Sequence, residues 1–283
     1  MTEHAFPPQH QDSMPADEHE MTPAPDYTPR FPGVGKLKDK VAFVSGGDSG
    51  IGRAVSVLFA REGAKVAIAY LEEHEDAEET KRLVEAEGSE ALLIPGDLGQ
   101  RAHAFDAIAR TVERFGKLDV LVNNCAQQWV DDPLEDLSEE RLRRTMDSNV
   151  MAQVFVTQAA LAHLKEGAAI VNTTSVNAFK GNDSLIAYST TRGATLAFSR
   201  SIAKALIKRG IRVNAVAPGP IWTPFIPGSM DAETVAGFGT QTEMGRAGQP
   251  WEVATAYLFL ASEDGSYFNG QTLHPNGGTI VGA

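Results

Sequence analysis

Val41-Ala42-Phe43-Val44-Ser45-Gly46-Gly47-Asp48-Ser49-Gly50-Ile51-Gly52 is the stretch from which the architecture follows. Val41–Ser45 is a short apolar, β-branched run, which reads as a strand buried on both faces. It runs directly into glycines at 46, 50 and 52, and Arg53–Glu62 then reads as a helix. Glycines without a Cβ let the chain turn tightly and let its backbone approach a pyrophosphate. The helix start supplies free N–H groups and the positive end of a dipole. A bare glycine pattern says little, but strand, turn and helix in this order give it the setting of a dinucleotide-binding loop. No Gly-Lys-Ser/Thr follows, which excludes a nucleoside-triphosphate loop.

Outward from this stretch the same rhythm repeats. Further strands are expected at Lys65–Tyr70, Ala91–Ile94, Val120–Asn123, Ala169–Thr173, Arg212–Ala217 and Gln271–His274. The segments Ala77–Glu87, Ala104–Phe115, Glu139–His163, Tyr188–Lys208 and Pro250–Ala261 read as helices. Near-continuous apolar strands separated by helices predict a Rossmann-type α/β/α sandwich with a seven-stranded parallel sheet. Residues 37–283 are read as one domain. Within it, 218–248 breaks the rhythm with Trp222, Phe225, Met230, Phe238 and Met244 among Gly, Pro and Thr, as a functional lid loop does. Residues 1–36 differ in composition: prolines, acids, His4, His10 and His19, and few aliphatic residues. Such an arm is expected to be disordered or packed on a neighbouring subunit. Its histidine spacing fits no standard metal site, and no metal is expected.

The bulk numbers narrow the function. Among 283 residues, 42% are hydrophobic, enough for a large core. A formal net charge of -12 argues against binding a phosphate backbone or an anionic membrane. Cys125 is the single cysteine, so no intrachain disulfide can form, and the cytoplasm is the default compartment. No apolar run approaches the roughly 20 residues of a membrane span. The start of the chain lacks the basic and apolar regions of a signal peptide.

About 20 residues past Gly50, where NAD-binding folds place an acid for the ribose 2′-hydroxyl, the second strand ends at Tyr70-Leu71-Glu72-Glu73. No Arg or Lys stands there to meet a 2′-phosphate, and Asp48 and Glu72 would repel one. The cofactor is read as NAD(P), with NAD favoured.

Four more stretches carry a family resemblance. Asn123-Asn124-Cys125-Ala126 closes the fourth strand, Asn149 lies within a helix, Ser175 precedes Tyr188 by thirteen residues, and Pro218-Gly219 follows the sixth strand, with Ile221 and Thr223 beyond. With the glycine loop these span about residues 40–280, and the chain resembles the short-chain dehydrogenase/reductase family. It is similar within that family to a subgroup with an extended N-terminal arm. The resemblance implies that Tyr188 is the general acid/base, that Ser175 hydrogen-bonds the substrate oxygen, and that Asn149 holds a water in a proton relay. It implies cofactor contacts at Ser45, Gly46, Asp48, Ser49, Gly50, Ile51, Gly52 and Tyr70. Asp97 and Leu98 would lie at adenine, Asn123 near the adenosine ribose and Thr223 near the carboxamide. Asn124, Cys125, Ala126, Pro218, Gly219 and Ile221 complete the set. Cys125 itself reads as a structural thiol, having no basic neighbour in sequence.

One position departs from the family's Tyr-x-x-x-Lys. The motif here is Tyr188-Ser189-Thr190-Thr191-Arg192. Four residues on a helix place Arg192 on the face of Tyr188, one turn on. Arginine keeps the cation that the family uses to grip the nicotinamide ribose, but with a planar, bulkier head. The expected function is hydride transfer between a nicotinamide cofactor and a small aldehyde, ketone or sugar-like alcohol, with Arg192→Lys raising turnover. The alternative is a cofactor-binding protein of impaired or lost catalysis, because Arg192 replaces the lysine. Gln127, Asn177 and Trp222 are expected at the substrate, with Gln128, Trp129, Phe179 and Phe225 as further walls. The family resemblance also implies a homotetramer; the net charge leaves no nucleic acid and no membrane as expected partner.

Overall fold

In the computed structural model, which describes residues 5–131 and 133–281, the quoted strand becomes β1 (Val41–Ser45), and every residue of it is buried. The others are β2 (Lys65–Tyr70), β3 (Ala91–Pro95), β4 (Val120–Asn123), β5 (Ala169–Thr173), β6 (Arg212–Val216) and β7 (Thr272–Leu273). They form one sheet in the order β3-β2-β1-β4-β5-β6-β7, and every neighbouring pair is parallel. Strand order reverses between β1 and β4, so a crevice opens outside their carboxyl ends.

The principal helices are α1 (Gly50–Arg61), α2 (His74–Ala86), α3 (Arg101–Phe115), α4 (Glu139–Met146), α5 (Ala152–Ala160), α6 (Asn177–Lys180), α7 (Ile186–Leu206), α8 (Ala232–Ala236) and α9 (Pro250–Ala261). Alternation along β1 builds the two sides of the core. Ala42 and Val44 pack with Leu58 of α1 and Val253 of α9, while Phe43 packs with Ile108 of α3 and Val156 of α5. The sheet is thus covered on both faces, which is why its strands are apolar throughout rather than alternating.

Two departures from the sequence-based reading matter for the site. The single helix expected over 139–163 is interrupted by a π-helical turn, Asp147–Met151, between α4 and α5. Such turns widen a helix locally and frequently occur at functional sites; this one contains Asn149. The second departure is the arm, whose His4 lies outside the described residues. The described part lies on its own chain. Phe6 stacks on Trp222 at a centroid distance of 3.7 Å, Trp222 Nε1 donates to the Pro23 carbonyl at 2.8 Å, and Met21 packs beside them. Ala16 and Glu18 are buried. Mean composition misjudges this segment because a few side chains at particular positions hold it.

Candidate active site

The crevice holds a cavity of about 510 Å³. Hydrogen bonds between strand ends set its floor. Ser45 Oγ accepts from the backbone N–H groups of Asn124 at 2.9 Å and Cys125 at 3.2 Å. Asn124 Nδ2 donates to the Gly46 carbonyl at 3.0 Å, and Thr173 Oγ1 donates to Asn124 Oδ1 at 3.2 Å. The ends of β1, β4 and β5 are therefore braced by side chains that the sequence motif supplies. Gly46, Asp48, Ser49, Gly50 and Ile51 face the cavity, as do Asn124, Cys125 and Ala126. Gly50 needs its missing side chain for a φ of +51°. Gly52 needs it for space: a Cβ there would lie 1.7 Å from the Gly46 carbonyl oxygen. Ser45 and Gly52 act behind the cavity wall rather than on it.

At one end the cavity is bounded by Tyr70, Glu73, Asp97 and Leu98. Sequence reasoning named Glu72 as the acid here, but the residue at the cavity is Glu73. The start of α2 turns Glu73 inward, whereas Glu72 is exposed. Burial pushes Glu73 up to about 7, reinforced by the nearby Asp48, and burial pushes Asp48 up to about 6. Asp97 is paired with Arg144 at 3.0 Å. Asn123 is a correction. It is buried in a polar chain through the core, donating to Thr157 Oγ1 at 3.0 Å and Asn172 Oδ1 at 2.8 Å, and it does not border the cavity. Cys125 borders it as a thiol that burial pushes up, which makes a poor nucleophile.

Of the expected catalytic residues, Ser175, Tyr188 and Arg192 border the cavity and Asn149 does not. Ser175 follows β5, and its Oγ accepts from Asn177 N–H at 3.1 Å, leaving the hydroxyl proton to donate elsewhere. Tyr188 and Arg192 lie on successive turns of α7, both buried and both bordering the cavity. The Arg192 guanidinium sits 4.7 Å from the Tyr188 ring centroid, and its Nη1 donates to the Thr173 carbonyl at 2.8 Å. Its Nε is buried without a partner among the described residues.

Asn149 is placed differently from the relay expected of it. Its Oδ1 accepts from Gln127 N–H at 2.8 Å, and its Nδ2 donates to the Gln127 carbonyl at 2.9 Å and to Thr191 Oγ1 at 3.1 Å. The π-helical turn thus uses Asn149 to clamp the backbone of Gln127 and to tie it to α7.

The other end is bordered by Gln127, Gln128, Asn177 and Phe225, and by Pro218, Gly219, Ile221 and Thr223 at the root of the 218–248 segment. Trp222 is a second correction: it is fully buried beneath Phe6 and faces the arm, not the cavity. Trp129 lies under Arg141, and Phe179 packs edge-on against His274, so neither is a wall of the cavity. In their place Met14, Pro15 and Ala16 of the arm border this end. No periodicity or motif marks them.

Glu18 anchors the arm beside the glycine loop. Its carboxylate accepts from Gly50 N–H and pairs with Arg53, which also reaches Asp76 at 3.2 Å. Burial outweighs the attraction of Arg53 and pushes Glu18 up to about 7. A carboxyl raised in the folded state takes up protons on folding, so its contribution is full below the unfolded value, near ~4.5, and is lost as pH rises through about 7. Glu18→Gln keeps an acceptor for Gly50 and removes the titration. Thermal melts are expected to show a flatter dependence of stability on pH between about 4.5 and 7 in this variant; an unchanged slope would place the titration elsewhere.

Comparison with known proteins agrees with this arrangement. Residues 46–279 match the family model described as enoyl-(acyl carrier protein) reductase. The chain is 51% identical over 283 aligned positions to a glucose and ribitol dehydrogenase of Daucus carota, covering 98% of this chain and 97% of that protein. It is 47% identical to NADPH-dependent aldehyde reductase 1, chloroplastic, of Arabidopsis thaliana, covering 97% of this chain and 98% of that protein. Its fold superposes on a short-chain dehydrogenase from Burkholderia cenocepacia J2315 solved in complex with NADP, with a TM-score of 0.80 and 33% identity over 86% of this chain and 98% of that one. The chain belongs to the short-chain dehydrogenase/reductase family. It is an NAD(P)-dependent oxidoreductase. The residues present fit the dinucleotide: Gly46 and Gly50 of the glycine loop border the cavity at the start of α1, and the unpaired Arg192 Nε is a donor in need of an acceptor such as a ribose hydroxyl.

Proposed function

We propose that the protein interconverts small aldehydes or ketones and their alcohols, sugar-like polyols included, with Tyr188, Ser175 and Arg192 as its working residues. The observation that carries this is the shared cavity: Tyr188, Ser175 and Arg192 border the same space as Gly46 and Gly50. A nicotinamide cofactor, when bound, would supply or accept the hydride. Tyr188 gives its hydroxyl proton to the carbonyl oxygen in reduction and takes it back in oxidation. Ser175 donates a hydrogen bond to the same oxygen and fixes its position. Arg192 holds the ribose and keeps a positive charge beside the tyrosine. Asn149 positions Gln127 at the substrate end. The names of the carrot and Arabidopsis relatives support this substrate class. Activity against a panel of aldehydes and polyols with NADH, NADPH and their oxidised forms tests it, and the absence of turnover with every pair would overturn it.

For the cofactor, Glu73 and Asp48 support a preference for NAD(H). Both carboxyls ionise only above their raised values, so repulsion of a 2′-phosphate grows with pH. Calorimetry is expected to give NAD(H) binding at least as tight as NADP(H), with the gap wider at pH 8 than at pH 5.5 (about one charge on each carboxyl apart). A constant ratio, or a clear NADP(H) preference at pH 8, would count against the role of these two acids.

A homotetramer is proposed on the family resemblance and on the outward faces of α4 and α7, where Leu142 and Ala197 are exposed. A cytoplasmic location is proposed on the single cysteine and the net charge. Among the described residues no helix is long and apolar enough to cross a membrane.

A further inference from the structure

The arm does more than cover the surface. Met14, Pro15 and Ala16 border the same cavity as Tyr188 and Ser175, at the end away from Glu73. They are held from two sides. On one side Gln127 Nε2 donates to the Met14 carbonyl at 2.7 Å, and Gln127 is itself clamped by Asn149 through both its backbone groups. On the other side lies the 218–248 segment: Gln11 N–H donates to the Pro227 carbonyl at 2.9 Å, and His10 Nδ1 lies 2.8 Å from the Met230 carbonyl.

Gly228 sits between these bonds. A Cβ on Gly228 would fall 2.6 Å from the Ala16 Cβ, 2.7 Å from the Ser13 carbonyl oxygen and 3.2 Å from the Met14 methyl carbon. The arm can approach this closely only because residue 228 has no side chain. Beyond Ala16, Glu18 fastens the arm to Gly50 and Arg53. A segment pinned at Gln127, at Gly228 and at the glycine loop is a fixed boundary of the cavity. Its exposed chemistry is a thioether, a proline ring and a methyl group, all apolar, so it excludes by bulk rather than by charge.

We propose that Met14–Ala16 is the outer wall of the substrate pocket and, through its fit against Gly228, limits the size of the carbonyl or alcohol substrate that reaches Tyr188. The proposal rests on the oxidoreductase reading of the cavity. It assigns the specificity-determining role to the arm in place of Trp222, which lies behind it.

Two full-length variants test the wall without touching Tyr188, Ser175 or Arg192. Gly228→Ala pushes the arm outward, and Met14→Ala opens the wall in place. The first readout is kcat/KM across a series of aldehydes of increasing bulk with one cofactor. The ratio of bulky to small substrate is expected to rise about tenfold in either variant, the scale on which a pocket discriminates by size, while cofactor Kd stays unchanged. The second readout needs no turnover. Cys125 borders the cavity and is the single thiol, so the ratio of its labelling rates by bulky and small maleimides reports access, the low thiolate fraction being common to both. Bulky maleimides are expected to react faster in the variants than in the parent protein.

An unchanged substrate ratio, a uniform fall across the series, or unchanged labelling by bulky maleimides would each overturn the wall. If the parent protein turns over no carbonyl or alcohol at all, the oxidoreductase reading fails and the labelling alone decides the wall. If Gly228→Ala does not fold, Met14→Ala decides it.

Discussion

Tyr188→Phe is expected to lose about 10²–10⁴-fold in turnover while cofactor affinity is retained, because removing a positioned general acid/base costs on that scale. The substitution takes away one oxygen and leaves the ring. The ring is what touches the rest of the protein: it packs 5.8 Å from Phe225 and under the Arg192 guanidinium at 4.7 Å. The fold and the cofactor end of the cavity should therefore be undisturbed. Steady-state kinetics with cofactor titration by fluorescence checks both halves. Retained turnover would mean that another group moves the proton, and lost cofactor binding would mean that the hydroxyl is structural.

Arg192→Met is expected to cut turnover and weaken cofactor binding together, each by about 10–100-fold, the worth of one charge-assisted hydrogen bond at ~1.5–3 kcal/mol. Methionine is apolar and of comparable length, so it refills much of the space while deleting the charge and the donors. It also leaves the Thr173 carbonyl without its Nη1 partner. A fall in turnover with cofactor affinity intact would limit Arg192 to acting on Tyr188. Intact kinetics would remove it from the site. The structure also changes the expectation for Arg192→Lys. Sequence comparison with the family motif suggests a gain, but here the guanidinium is seated on the Thr173 carbonyl and stacked on Tyr188, contacts shaped to a planar head. The lysine variant keeps the charge and loses that seating, so its activity is expected between those of the parent and Arg192→Met.

The parallel sheet and its glycine loop were legible because they rest on local chemistry. Buried strands need continuous apolar runs, and a pyrophosphate turn needs residues without a Cβ, so β1 and Gly46, Gly50 and Gly52 announce themselves. Tyr188 and Arg192 were legible through the family resemblance, and their spacing of four residues added only that they share a helix face. Asn149 was legible as a position but not as a set of bonds, since the π-helical turn that aims it at Gln127 has no sequence signal. Asn123 failed because a strand-end amide can equally serve the cavity or the core, and only the placement of Thr157 and Asn172 decides. Trp222 failed for a related reason: an aromatic residue in a loop reads as a wall, yet Phe6, more than 200 positions away, is what covers it. Composition hid the arm, because its attachment depends on single residues such as Glu18 and Gly228 and not on average hydrophobicity.

The arm also imposes an order on folding. His10 meets Met230 across 220 positions of chain, and Pro23 meets Trp222 across 199. Contacts this remote carry a large loop-closure cost and form late. The stretch that closes on Trp222 and Met230 thus waits for the 218–248 segment, whereas Glu18 of the same arm finds Gly50 and Arg53 much nearer in sequence. The fastening of this stretch over a nearly finished interior is then expected to come late, and a bulky fusion placed ahead of the arm is expected to slow this closing step more than the assembly of the sheet beneath it.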